Sequence, residues 1–265
     1  MLIDVLTALI VVTAVGLIAA VLLALASHFL SVKEDEKVIS VRSALPGANC
    51  GACGFAGCDE YAKAVAAGEA EVNLCIPGAQ NVSDELSKIM GVTGGTAEKR
   101  VAFVGCNGTS DATSTTFDYQ GVKTCKASSM VYAGPNACTF GCIGCGDCAL
   151  VCPVNAICVD DGVARVNKNI CIGCGLCVKE CPKNIINLVP FDAKFAVMCN
   201  NMNKGAVSRK LCKNSCIGCK KCELNCPNNA IKVTDNFASI DYSLCNSCGK
   251  CAEVCVTGCI KQINA

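Results

Sequence analysis

Four runs of C-x2-C-x2-C-x3-C occupy the second half of this 265-residue chain, and they constrain its folding more than any other feature. The first is Cys142, Cys145, Cys148, Cys152, and the second Cys171, Cys174, Cys177, Cys181. The third is Cys216, Cys219, Cys222, Cys226, and the fourth Cys245, Cys248, Cys251, Cys255. Pro follows the last Cys of the first three runs, and Val256 follows the fourth. Thiols at this spacing oblige the backbone to wrap what they hold. The chain has 27 Cys, about one residue in ten, far above ordinary globular usage. A disulfide scaffold is the competing reading, but an odd count leaves one thiol over and the spacing is that of [4Fe–4S] ligation. With 5% aromatic residues an ordinary aromatic-rich core is excluded, so cluster binding must supply much of the folding energy. The thiolates must stay reduced, which places this part of the chain on the cytoplasmic side. A net charge of +1 gives no footprint for nucleic acid.

The runs repeat. Cys171 follows Cys142 at the same interval as Cys245 follows Cys216, and a constant offset of 74 relates Cys142 to Cys216 and Cys171 to Cys245. One two-cluster module has been duplicated in tandem. In such modules the fourth Cys of a run serves the other cluster, because it sits beyond the tight loop that carries the first three. The expected ligand sets are therefore Cys142, Cys145, Cys148 with Cys181, and Cys171, Cys174, Cys177 with Cys152. The second module repeats this as Cys216, Cys219, Cys222 with Cys255, and Cys245, Cys248, Cys251 with Cys226. Between runs, residues 156–159 and 162–166 flank Asp160-Asp161 as a predicted hairpin, and residues 230–233 and 238–240 repeat it.

Upstream stands a different motif, C-x2-C-x4-C-x16-C, made by Cys50, Cys53, Cys58 and Cys75 in NCGACGFAGC…CIPG. Its interleaved glycines let backbone wrap a cluster closely. Structural zinc sites usually present two separated C-x2-C knuckles instead, which favours a fifth [4Fe–4S] cluster. Residues 59–67 predict a helix, 83–90 another with Ser83 as N-cap and Gly91 as stop, and 100–104 a strand. The Gly91–Gly95 stretch lacks the endings of a nucleotide-binding loop.

Val5 to Ser27 runs 23 residues without a formal charge, long enough as a helix to cross a ~30 Å hydrocarbon core. Ala24-Leu25-Ala26 resembles a signal-peptidase site, but the basic leader of a signal peptide is missing. Lys33, Lys37 and Arg42 follow the helix and put its C-terminal side in the cytoplasm. His28, the lone His, falls at the helix end.

Seven cysteines lie outside the motifs. Cys158 and Cys259 read as buried core thiols. Cys106, Cys125, Cys138, Cys199 and Cys212 lie in polar, Gly-bearing surroundings, and the offset of 74 relates Cys125 to Cys199 and Cys138 to Cys212. They offer a sixth cluster built from four of the five. The other readings are core thiols, or Cys138 standing in for a ligand of the next run. Lys204, Arg209, Lys210, Lys213, Lys220 and Lys221 form a basic stretch opposed only by Glu223, a candidate docking face for an acidic electron carrier, against the plainer reading of a solvated surface.

The order of parts, an apolar helix, then NCGACGFAGC…CIPG, then ferredoxin runs, resembles the B subunit of the Rnf complex in its longer, multi-cluster form. The resemblance spans nearly the whole chain. It implies an electron-transfer subunit of a membrane, Na+- or H+-translocating ferredoxin:NAD oxidoreductase. Such a subunit accepts electrons from soluble ferredoxin and relays them through five or six [4Fe–4S] clusters to membrane partners. The fold expected is a single N-terminal transmembrane helix plus small α+β iron–sulfur domains, two of them tandem bacterial-type two-cluster ferredoxin modules. The division expected is 1–32 anchor, 33–97 Gly/Cys-rich cluster domain, 98–137 connection, 138–190 first module, 191–211 connection and 212–265 second module. Expected partners are ferredoxin, other complex subunits and the lipid bilayer, with no nucleic acid. The chain is expected to be an enzyme subunit with no independent catalytic site. Two alternatives are an electron-transfer subunit of a hydrogenase- or formate-type complex and an iron–sulfur scaffold or storage protein.

Overall fold

The computed structural model describes residues 2–29 and 35–263. Helix α1 (Leu2–Phe29) is the apolar segment, and Leu9–Ala26 is long and apolar enough to cross a membrane, with a mean hydropathy of 2.9. None of those 18 residues is buried against the rest of the protein. Lys33, on which the orientation reading partly leans, lies outside the described residues.

A helical domain follows, made of α2 (Glu36–Ala44), α3 (Cys58–Ala66) and α4 (Ala79–Met90). Asp35 caps α2 by accepting from Lys37 N–H at 2.9 Å. Val41, Tyr61, Val65 and Leu86 close its core. Helix α4 starts at Ala79, a turn earlier than the predicted Ser83 cap. Ser83 is buried within it, and its hydroxyl donates to the carbonyl of Gly95. Gly91 ends the helix in the left-handed conformation, as its sequence position predicts.

The remainder is β1 (Arg100–Val104), α5 (Cys125–Ser129), α6 (Asp147–Leu150), β2 (Ile157–Asp160), β3 (Val163–Val166), α7 (Leu176–Glu180) and β4 (Ile186–Pro190). Then come β5 (Phe195–Val197), α8 (Gly205–Leu211), α9 (Lys221–Leu224), β6 (Ile231–Thr234), β7 (Phe237–Ile240), α10 (Lys250–Glu253) and β8 (Ile260–Gln262). Four two-stranded antiparallel sheets result: β1–β4, β2–β3, β5–β8 and β6–β7. The hairpins turn at Asp161-Gly162 and Asp235-Asn236, all four at positive φ, so the first turn sits one residue later than the sequence suggested. The closing strands β1, which the sequence predicts, and β5, which it does not, lie in the segments assigned as connections, so each module reaches upstream of its first run. Ile157, Val163, Ile185 and Ile186 fill the core of the first module, and Ile231, Ala238 and Ile260 that of the second. Tyr242 and Ile263 of the second module pack on Val101 and Val189 of the first.

Candidate metal centres

Glycine and left-handed residues shape each thiol loop. Gly144 (φ +84°) lies so close to the hairpin turn that a Cβ would stand 2.6 Å from the Gly162 carbonyl oxygen. The duplicate, Gly218, would meet the Asn236 carbonyl oxygen at 2.9 Å. The short helices α6, α7, α9 and α10 then carry the third Cys of each run inward.

Thiols gather in the groups that the interleaved pattern demands. Cys75 faces Cys58, Cys53 and Cys50. Cys177 faces Cys171, Cys174 and Cys152, and Cys148 faces Cys142 and Cys181. Cys222 faces Cys216, Cys219 and Cys255. Cys226, Cys245, Cys248 and Cys251 line one cavity. Backbone amides aim at the sulfurs: Ala156 N–H donates to Cys152 Sγ at 3.2 Å and Ala230 N–H to Cys226 Sγ at 3.3 Å, repeat-related positions. Ala102 on β1 donates to Cys171 Sγ at 3.3 Å. Burial pushes the Cys142 thiol up to about 11 and the Cys148 thiol up to about 12. These thiols are protonated at neutral pH until a metal displaces the protons. Donor type, cavity and amide placement all fit [4Fe–4S] clusters. Among the described residues no three His, Cys, Asp or Glu converge on a single ion-sized point.

The groups also touch one another. Cys50 is close enough to Cys174 to disfavour its thiolate, and Gly173 meets Ile76, so the helical domain abuts the first module.

The seven remaining cysteines separate. Cys158, read from sequence as a core thiol, is exposed: on β2 its neighbour Ile157 takes the inward face and alternation turns Cys158 outward. Cys259 is buried, with its sulfur 3.6 Å from Cys255 Sγ and beside that of Cys216. Cys125 stands apart from the other four candidates for a sixth centre. It opens α5 and its thiol lies beside that of Cys145, adding a fifth sulfur next to Cys142, Cys148 and Cys181. The carboxylate of buried Asp147, which sequence reading passed over, fixes it by accepting from Cys125 N–H at 2.9 Å and Lys126 N–H at 3.2 Å. Its place before Cys148 gave no signal for this role. Cys106, Cys138, Cys199 and Cys212 line a single cavity. The six basic residues from Lys204 to Lys221 are all exposed, and the last two adjoin the exposed thiol of Cys219.

Comparison with known proteins agrees with this arrangement. Residues 45–77 match a family model described as "Putative Fe-S cluster". Residues 141–185 and 215–259, and separately 170–231, match 4Fe-4S dicluster domains. The chain is 42% identical to the B subunit of the proton-translocating ferredoxin:NAD(+) oxidoreductase complex of Clostridium ljungdahlii, over 96% of this chain and 91% of that protein. It is 39% identical to the B subunit of the Na(+)-translocating ferredoxin:NAD(+) oxidoreductase complex of Acetobacterium woodii, over 92% and 74%. With the B subunit of the ion-translocating oxidoreductase complex of Methanosarcina acetivorans it shares 36% over 92% and 93%.

Proposed function

The chain belongs to the B-subunit family of ion-translocating ferredoxin:NAD(+) oxidoreductase complexes, and from that premise we propose that it takes electrons from reduced ferredoxin and hands them to membrane partners of its complex. The observation that carries this reading is the contiguity of the thiol groups, with the interleaved pairs inside each module and Cys50 beside Cys174. When bound, [4Fe–4S] clusters supply one-electron redox chemistry at low potential. The chain's own part is to hold them. Cys50, Cys53, Cys58 and Cys75 hold one. Cys142, Cys145, Cys148 with Cys181, and Cys171, Cys174, Cys177 with Cys152, hold two. Cys216, Cys219, Cys222 with Cys255, and Cys245, Cys248, Cys251 with Cys226, hold two more. Amides directed at sulfur stabilise the charge, and the small cores bury Cys75, Cys148, Cys174, Cys177, Cys216 and Cys222. Helix α1 spans the bilayer once and leaves the cluster-bearing part in the cytoplasm, where Lys37 and Arg42 follow it. Exposed Lys220 and Lys221, beside the exposed Cys219, receive the acidic surface of ferredoxin.

The test is anaerobic mixing of the full-length, detergent-purified chain with reduced ferredoxin, followed by EPR. Rapid appearance of reduced-cluster signals is the expected result. A fully iron-loaded chain that ferredoxin does not reduce would remove the donor assignment.

A further inference from the structure

The thiols left over by the ferredoxin runs meet where the two modules join. Cys106, Cys138, Cys199 and Cys212 line one common cavity, as the thiols of two of the ferredoxin ligand sets do. The sulfurs of Cys106 and Cys212 lie 3.5 and 3.8 Å from the point where a Cβ on Gly108 would stand. Each of three sulfurs receives donors directed at it. Gly108 N–H and Cys142 N–H reach Cys106 Sγ, both at 3.4 Å. Cys216 N–H reaches Cys199 Sγ at 3.2 Å, and the side-chain amide of Asn201, 1% exposed, reaches Cys138 Sγ at 3.5 Å.

The arrangement is symmetric in a way that the sequence offset concealed. Cys106 stands two positions after the end of β1 and Cys199 two positions after the end of β5, the strands that close their respective modules. The amide between strand and Cys donates to the carbonyl of Ile185 in one module and of Cys259 in the other, positions that the repeat makes equivalent. Cys138 and Cys212 each stand four positions before the first Cys of their module's first run. Each module therefore contributes two equivalent thiols. The pairing is Cys106 with Cys199, not Cys125 with Cys199. The stretch from Cys106 to Cys138 is more than twice as long as that from Cys199 to Cys212, and Cys125 lies in the surplus.

We propose that Cys106, Cys138, Cys199 and Cys212 hold a sixth [4Fe–4S] cluster that joins the two ferredoxin modules. At this site, as at the five motif sets, the described residues show no convergence on one ion-sized point, whereas a single zinc ion holds its sulfurs about 2.3 Å away. The site sits one hydrogen bond from Cys142, a ligand position of the first module, and one from Cys216, its counterpart in the second. It closes the gap in an otherwise interrupted line. The order by contact becomes the Cys245 set, the Cys216 set, the junction, the Cys142 set, the Cys171 set and the Cys50 set. Along it each transfer oxidises one site and reduces the next by one electron, breaks no bond and moves no proton, with reduced ferredoxin as the reductant. This role rests on the relay reading, whereas the site itself rests on the four thiols.

Native mass spectrometry of the full-length chain, prepared anaerobically, counts clusters without any substitution. Six clusters and about 24 irons are expected at four irons each. The double variant Cys106→Ser, Cys212→Ser should lose about four irons and keep the other five clusters, with ferredoxin still reducing the two centres of the second module but reducing the Cys142, Cys171 and Cys50 centres more slowly than in the wild type. A wild-type chain with five clusters, or five clusters and one zinc, overturns the proposal while leaving the relay reading intact, provided ferredoxin still reduces it. A double variant with the full wild-type cluster count overturns it too. Little iron in the wild type overturns both readings.

Discussion

Cys259 shows how a residue with no ligand role acts on a centre. Its sulfur lies 3.6 Å from that of Cys255 and beside that of Cys216, and where those two are thiolate ligands its single S–H proton donates to one of them. The first module has Ile185 at the corresponding place, so only the second module has this donor. Hydrogen bonds to ligand sulfurs stabilise the reduced, more negative cluster and raise its potential. Cys259→Ala should therefore lower the potential of the Cys216 centre. A hydrogen bond of about 0.5–1.5 kcal/mol corresponds to roughly 20–65 mV for one electron, and an EPR-monitored redox titration reads it. Tyr61 does related work in the helical domain: its hydroxyl donates to the Glu71 carbonyl at 2.7 Å and accepts from Leu74 N–H at 3.3 Å, beside Cys75. Tyr61→Phe should cost about 1–3 kcal/mol in denaturant unfolding by leaving both groups unpaired. Burial raises the Tyr61 phenol to about 12. Its contribution is thus complete below pH ~10 and is lost as pH rises through about 12, a fall that the Phe variant should not show. The grouping of the motif cysteines was legible in the sequence because spacing is one-dimensional. Cys158 and Asp147 were not, because which side a residue faces depends on neighbours outside its own segment.

At the scale of elements, the hairpin turns and the thiol loops are one unit. Gly144 and Gly218 combine positive φ with contact against the turn backbone. Gly144→Ala adds a Cβ that neither the conformation nor the space admits, costing about 1–3 kcal/mol from backbone strain alone. Iron content should fall by about four per chain, with the loss confined to the Cys142 centre in EPR. The hairpins were visible as short apolar stretches around polar turn residues. The closing strands were only half visible. Arg100–Val104 was predicted as a strand, but its partner Ile186–Pro190 lies beyond two whole cluster runs, and local pattern carries no pairing information over that distance.

For the whole molecule, charge and duplication set the behaviour. The protein is nearly neutral overall, so exposed basic residues near Cys219 create a local rather than a global field. Lys220→Glu with Lys221→Glu should slow reduction by ferredoxin at least tenfold at low salt, with the difference shrinking as ionic strength rises, in stopped-flow experiments. An unchanged rate at low salt would detach the basic face from ferredoxin docking. Duplication was legible as a constant offset of 74. Equivalence of Cys106 and Cys199 was not, because an insertion between Cys106 and Cys138 breaks that offset and only shared positions after β1 and β5 restore it. The paired strands β1 and β4 also bear on synthesis. Arg100 faces Pro190, so β1 leaves the ribosome on the order of 5–20 s before its partner at translation speeds of ~5–20 residues per second. During that interval it is an unsatisfied edge. Nascent chains are then most exposed to misassociation, and iron–sulfur assembly in the first module can finish only after Cys181, the last cysteine of its runs, has emerged.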